Sequence, residues 1–216
     1  MKGTIAKGTL VEWANTEYIF VIDDDIYIQE DTIATALKMF AEDKELGAVS
    51  FPLFDPAGKL QSTSGIIIDI KGNVLRTSYI PYQAGGRVVD GLPAGAFFLR
   101  KQLRNFFKWD TYYRMGFADL DKSLQIYFSN SGFKQYVSFD SYLVHDKVTQ
   151  KENPSYLKVR RDYRQIRKSY MYFVEKWGLR LPMVEHVLVK YGYAIPSRET
   201  TMVLNYGIRK FFRIKL

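Results

Sequence analysis

Three consecutive aspartates, Asp23, Asp24 and Asp25, follow directly on the apolar run Tyr18-Ile19-Phe20-Val21-Ile22. Such a run of β-branched and aromatic residues reads as a buried strand. Three carboxylates cannot continue into a core, because unpaired buried charge is too costly. They belong at the strand's carboxyl end, facing water or a cation, and in open α/β sheets that end is where ligands bind. Alternate residues of an extended chain point the same way, so Asp23 and Asp25 can converge while Asp24 points elsewhere. Two hard oxygen donors suit Mg²⁺ or Mn²⁺ with a phosphate-bearing substrate. An acidic, solvated strand-to-helix turn has the same sequence, and the triplet alone does not choose between them.

A second acidic pair stands in Phe117-Ala118-Asp119-Leu120-Asp121, at a predicted helix start. A carboxylate there is favoured by the helix dipole. It either caps first-turn amides or serves as a general base for a hydroxyl proton. His145 ends the apolar run Tyr142-Leu143-Val144, where a neutral imidazole suits a third ligand to Mn²⁺ and equally suits a packed or surface residue. His186, the other histidine, lies in an amphipathic helical run and reads as structural. There is no cysteine, hence no disulfide framework and no thiolate nucleophile or metal ligand. The chain also lacks a Gly-x-Ser-x-Gly elbow, a Gly-x-x-x-x-Gly-Lys-Ser/Thr loop and a Gly-x-Gly-x-x-Gly turn after a strand.

These groups need a scaffold, and 216 residues with 47% hydrophobic content suffice for one core with a small appendage. Gly3 to Trp13 reads as a loop running into a helix, before the strand at 18–22. Asp31 is the expected N-cap of a helix from Thr32 to about Asp43, with Ile33, Ala36, Leu37 and Phe40 on its apolar stripe. Strands are expected at 48–51 and 65–70, separated by the turn Asp55-Pro56-Ala57-Gly58, and residues 76–93 as an irregular loop. Ala94 to Leu99 reads as a strand, and Asp119 to Asn130 as a helix burying Leu120, Leu124, Tyr127 and Phe128. Short strands at 135–139 and 142–144 precede a long helix opened by Pro154 and stopped by Gly178, with further helices at 183–191 and 199–211. Alternating strands and helices followed by clustered helices give an α/β core over 1–150 and a helical appendage over 151–216.

Charge divides the same way. Residues 151–216 hold fifteen Lys and Arg against five Asp and Glu, whereas residues 1–150 hold 16 basic against 18 acidic. The basic segment implies an acidic partner: membrane lipid, a phosphorylated substrate or nucleic acid. Arg209-Lys210-Phe211-Phe212-Arg213-Ile214-Lys215 mixes basic and apolar residues as interfacial anchors do, and equally as a helix packed by its aromatic side. Neither a secretory leader pattern nor an apolar stretch of membrane-spanning length is visible, so a cytoplasmic site, peripheral to the inner membrane face, is expected.

In order, these segments resemble the inverting family-2 glycosyltransferases of GT-A fold, in the rhamnosyl- and galactofuranosyltransferase branch. The likeness runs over residues 3–178. It is carried by the strand into Asp23-Asp24-Asp25, the Asp55-Pro56-Ala57-Gly58 turn with Gln61, Gly95-Ala96-Phe97-Phe98-Leu99-Arg100, Phe117 to Asp121, Val144-His145 and Trp177-Gly178. It implies a Rossmann-like mixed sheet flanked by helices. It implies that Asp23, Asp25 and His145 hold Mn²⁺ or Mg²⁺ on a nucleoside-diphosphate sugar, with Asp24 at the cofactor. Asp119 would be the catalytic base and Asp121 a further acid beside a glycan or lipid-linked acceptor. Two departures stand out. Members of the family begin with a nucleotide-binding β-α-β unit that this chain is expected to lack, making it a truncated form. Ala118 replaces a glutamate, which keeps a second expectation open: a non-catalytic partner that binds a glycan or another subunit.

Overall fold

The computed structural model describes residues 3–92, 95–113, 116–146 and 162–191. The expected opening of the long helix at Pro154, the helix at 199–211 and the basic 209–215 segment lie outside them. In chain order the elements are α1 (Gly3–Trp13), β1 (Tyr18–Ile22), β2 (Ile26–Ile28), α2 (Thr32–Glu42), β3 (Leu46–Ser50), β4 (Leu53–Phe54), β5 (Leu60–Ser62), β6 (Ile66–Lys71), β7 (Val74–Tyr79), β8 (Arg87–Val89) and β9 (Ala96–Arg100). A 3₁₀ helix (Lys101–Phe106), α3 (Ala118–Phe128), β10 (Lys134–Val137), β11 (Leu143–His145), α4 (Tyr163–Trp177) and α5 (Met183–Tyr191) complete them.

The main sheet has the order β1-β9-β3-β10-β8. β9 runs antiparallel to β1 and to β3, while β3 and β10 are parallel. Its side chains feed two apolar layers. Ile19, Val21, Ala48, Phe97 and Leu99 pack with Val11 of α1 and Leu103 of the 3₁₀ helix. Tyr18, Phe20, Val49, Ala96 and Phe98 pack with Ala36 and Phe40 of α2. Burial on both faces explains why β1, β3 and β9 are continuous apolar runs and not alternating ones. A second sheet, β2-β11-β4-β5, stands beside the first, and β6 with β7 forms a hairpin.

The α/β expectation holds, with local differences. The helix starts at Gly3, without a preceding loop. Residues 76–93 are not an irregular loop: the hairpin returns through β7, and β8 pairs with β10. Between β7 and β8 residues 80–86 lie outside strands and helices. Asp31 occupies the N-cap position without a cap hydrogen bond; its carboxylate accepts from Ser141 Oγ instead.

Two apolar stripes differ as well. α2 buries Thr32, Ala36 and Phe40, but Ile33 and Leu37 each stay 42% exposed. α3 buries Asp121, Lys122, Ser123, Leu124 and Ile126, while Tyr127 and Phe128 face out. Periodicity read from apolar residues misses a helix whose buried face is polar and paired.

One buried cation ties the layers. The Arg100 guanidinium donates to the carbonyls of Leu46 (3.1 Å), Phe40 (2.8 Å) and Asp43 (3.3 Å). It thereby satisfies the carboxyl end of α2, where carbonyls lack helical partners. It lies over the Tyr18 and Phe40 rings, 5.3 Å from each centroid. Arg100→Met keeps the stem and strands these carbonyls, and a loss of about 3 kcal/mol in urea denaturation is expected.

Candidate active site

The chain leaves the main sheet at the first carboxylate. Asp23 N–H still donates to Gly95 O (2.9 Å), and Ile26 N–H closes a turn on Asp23 O (3.2 Å). β2 then enters the second sheet, where Ile26 pairs with His145 of β11. This crossing from one sheet to the other brings the aspartate turn and the end of β11 together. His145 Nε2 lies 3.2 Å from Asp25 Oδ2, both half-buried.

Gln61 of β5 fixes the imidazole. Its amide nitrogen donates to His145 O (3.0 Å), and its amide oxygen faces His145 Nδ1 (3.0 Å). A carbonyl oxygen only accepts, so the amide orientation is settled, and Nδ1 must carry the hydrogen. In the neutral ring Nε2 then presents a lone pair to Asp25. Two acceptors 3.2 Å apart call for a proton or a cation between them. That donor set fits one edge of a Mg²⁺ or Mn²⁺ site, because such ions are commonly held by one or two protein groups, with waters and substrate phosphates completing the shell. Among the described residues no group of three His, Asp or Glu is gathered around one point.

Asp23 is engaged differently from the expectation. Lys7 of α1 forms an ion pair with its carboxylate. Burial pushes the Asp23 carboxyl above the usual range; Lys7 draws it down, and the neighbouring charges of Asp25 and Asp119 push it up again. Asp23, Asp25 and Asp119 therefore share one electrostatic neighbourhood. Asp24 projects into solvent at the turn.

Asp119 stands in the first turn of α3, half-buried. Among the described residues nothing donates to its carboxylate, which suits a group that must accept a proton. Phe117 enters the helix with φ +64°, an uncommon backbone for a bulky residue. Its ring is held 5.3 Å from both Tyr170 and Phe173 of α4.

Asp121 lies elsewhere than expected. It is fully buried, and its carboxylate accepts from Tyr113 Oη (3.2 Å), Gln125 Nε2 (2.7 Å), Lys176 Nζ (2.9 Å) and Trp177 Nε1 (2.7 Å). With both oxygens occupied it anchors α4 on α3 and has no room for an acceptor. Burial would raise the nearby Asp110 carboxyl. Hydrogen bonds from Lys176, the Tyr112 N–H and Tyr172 instead hold it below the usual range. His186 is structural as expected, bonded through Nδ1 to Tyr170 Oη (2.6 Å).

Lys7, Gln61 and Lys122 were not predicted as site residues. Lys7 carried no signal of its role, and Gln61 was marked only by the resemblance, as the residue that follows the Asp55 turn. Lys122 sits three residues after Asp119 and is buried, donating to Leu92 O (2.7 Å) and lying 3.8 Å from the Phe97 ring centroid. The approach of that loop requires glycine: a Cβ on Gly91 would fall 2.4 Å from Ser123 Oγ.

No protein-family profile matches the chain, and no curated protein does. Solved structures do. GalNAc-T7 crystallised with UDP, GalNAc and Mn²⁺ superposes with a TM-score of 0.51 at 10% identity, covering 88% of this chain and 44% of that one. S. aureus TarS 1-349 gives 0.46 at 13% identity, covering 86% and 48%. A197 from STIV gives 0.41 at 16%, covering 66% and 64%. The first likeness shows a GT-A-like fold, and the chain spans under half the length of that structure.

Burial pushes the Lys122 ammonium down to about 8 from 10.5, partly offset by Asp119. Between these values the unfolded chain binds a proton that the folded one does not, so folding gains stability as pH rises through the window. Measured by urea denaturation, the stability of the protein relative to Lys122→Met should therefore climb from about pH 8 to about pH 10.

Proposed function

We propose that the protein transfers a sugar from a nucleoside-diphosphate sugar to a hydroxyl of a glycan or lipid-linked acceptor, with inversion at the anomeric carbon. The observation that carries this reading is the contact of His145 with Asp25 beyond the carboxyl end of β1, with the charges of Asp25 and Asp119 both felt at Asp23. The GT-A-like fold supports it, and a structure of that fold holds UDP, GalNAc and Mn²⁺.

Asp25 and His145 would hold Mn²⁺ or Mg²⁺, with Gln61 keeping the imidazole in its Nδ1–H form. A divalent cation bound there supplies positive charge for the departing diphosphate. Asp23 keeps the Lys7 ammonium at the same place, a second positive group beside the diphosphate. Asp119 accepts the proton of the acceptor hydroxyl. The hydroxyl oxygen bonds to the anomeric carbon from the face opposite the diphosphate, whose bond to that carbon breaks, and the configuration inverts. Asp121 takes no part in the proton transfer; through Lys176 and Trp177 it fixes the helix turn that presents Asp119. The basic C-terminal third would hold the enzyme at an anionic surface, the inner face of a membrane.

A second reading, a non-catalytic subunit that binds a glycan or another glycosyltransferase, is favoured by one residue: Ala118 stands where the resemblance has glutamate. Sugar release from uridine and thymidine diphosphate sugars with Mn²⁺ separates the two. Metal-dependent turnover is expected, with Asp119→Asn lowering it on the order of 10²–10⁴-fold at unchanged Mn²⁺ affinity. Asp25→Asn should weaken Mn²⁺ binding itself. Absence of metal-dependent turnover with every donor would leave only the non-catalytic reading.

A further inference from the structure

α3 buries a lysine one turn after Asp119. Lys122 is 1% exposed, and a spacing of three sets it on the same side of the helix as Asp119. An ammonium is costly to take out of water, and a position closed off to this degree is ordinarily apolar. The sugar transfer proposed above makes no use of it.

Its surroundings connect the two halves of the candidate site. Nζ donates to Leu92 O (2.7 Å) and stands 3.8 Å from the Phe97 ring centroid and 5.9 Å from that of Trp109. The backbone before Leu92 is held on its other side. Ile66 N–H donates to Gly91 O (2.9 Å), and Gln135 Nε2 to Asp90 O (2.8 Å). Three residues after Leu92, Gly95 O accepts from Asp23 N–H (2.9 Å). Phe97 is the register partner of Val21, two residues before Asp23. One ammonium thus touches the loop and the strand that hold the exit of β1, while it rides on the helix that carries Asp119.

The charges follow the same path. Lys7 pairs with Asp23, and Asp23 feels Asp119. Asp119 offsets the burial of Lys122, and Lys7 acts on that lysine in the opposite sense. Lys7, Asp23, Asp119 and Lys122 therefore alternate in sign. The acids closest to Lys122 in the loop and on the helix are engaged elsewhere: Asp90 with Ile68 N–H (2.7 Å), Asp121 with Lys176 and Trp177. We propose that Lys122 is a positioning residue for Asp119: it is the counter-charge of that carboxylate inside the core, and it ties the first turn of α3 to the backbone leading to Gly95, on which Asp23 closes. Its part in turnover rests on the transfer proposed above. Once Asp119 takes up the acceptor's proton the ammonium loses its counter-charge, so the pair is matched in the state in which Asp119 is ready to accept.

Two measurements on the 216-residue chain need no turnover. NMR titration of the ¹⁵N-labelled Lys122 ammonium should give a midpoint of about 8. The midpoint should move down in Asp119→Asn, which removes the charge that raises it, and up in Lys7→Met, which removes one that lowers it. In Lys122→Met the Asp23 amide should exchange about tenfold faster than in the parent, relative to the Val49 amide of the same sheet. The third measurement is the transfer itself. There kcat of Lys122→Met should fall on the order of 10²-fold at unchanged KM for the donor, because the displaced group is the base. A Lys122 midpoint that stays in place in Asp119→Asn overturns the proposal. So does an Asp23 amide that exchanges in step with the rest of the sheet in Lys122→Met, or a parent-like kcat in that variant. Should Lys122→Met fail to fold, the titration in Asp119→Asn decides alone. A midpoint that moves as expected in a protein that turns over no donor upholds the pairing and removes the transfer.

Discussion

A strand packed on both faces has no place for a charge, and this constraint locates the whole site. β1 is apolar for its full length because α1 and α2 cover its two sides. The chain must leave the sheet at Asp23, turn, and enter a second sheet as β2. That exit brings the turn against β11 and its terminal histidine. The carboxylate cluster is the necessary end of a strand that cannot continue, and the parts of the site gather around it.

Carboxylates brought together need counter-charge, and the molecule provides it from distant parts of the chain. Lys7 comes from the first helix and pairs with Asp23. Lys122 lies beneath Asp119, inside the core, held by one carbonyl and one aromatic face. Gln61, uncharged, settles which nitrogen of His145 faces Asp25. Asp121 resolves the same problem by complete burial, which is tolerable because four donors converge on it. One carboxylate of the Asp119–Asp121 pair stays half-buried in the first turn of α3, and the other is spent as a structural anchor.

The main sheet and the candidate site share one strand, β1. The carboxylates at its end turn to Lys7 of α1 and to His145 of β11. The helices over β1 keep Leu10, Trp13, Ile33 and Leu37 exposed.

Much of this was legible in the residues. The run 18–22 and its three aspartates gave a strand and a polar end, because solvation energy acts locally on five apolar residues followed by three charges. The Asp55 turn and the Gly178 stop were equally local, since positive φ favours glycine. The tertiary structure decided what depends on contacts distant in sequence. Asp119 and Asp121 look alike in the chain, and only the arrival of Trp177 and Lys176 from α4 separates them. Lys7 and Gln61 became site residues through partners far along the chain, and Lys122 reads as a solvated helix position until Leu92 and Phe97 close over it. Ile33 and Leu37 fit an apolar stripe, yet stay exposed while Thr32, Ala36 and Phe40 take the buried side of α2. Local solvation and backbone preference are written residue by residue. The pairing of buried polar groups exists only once distant segments meet.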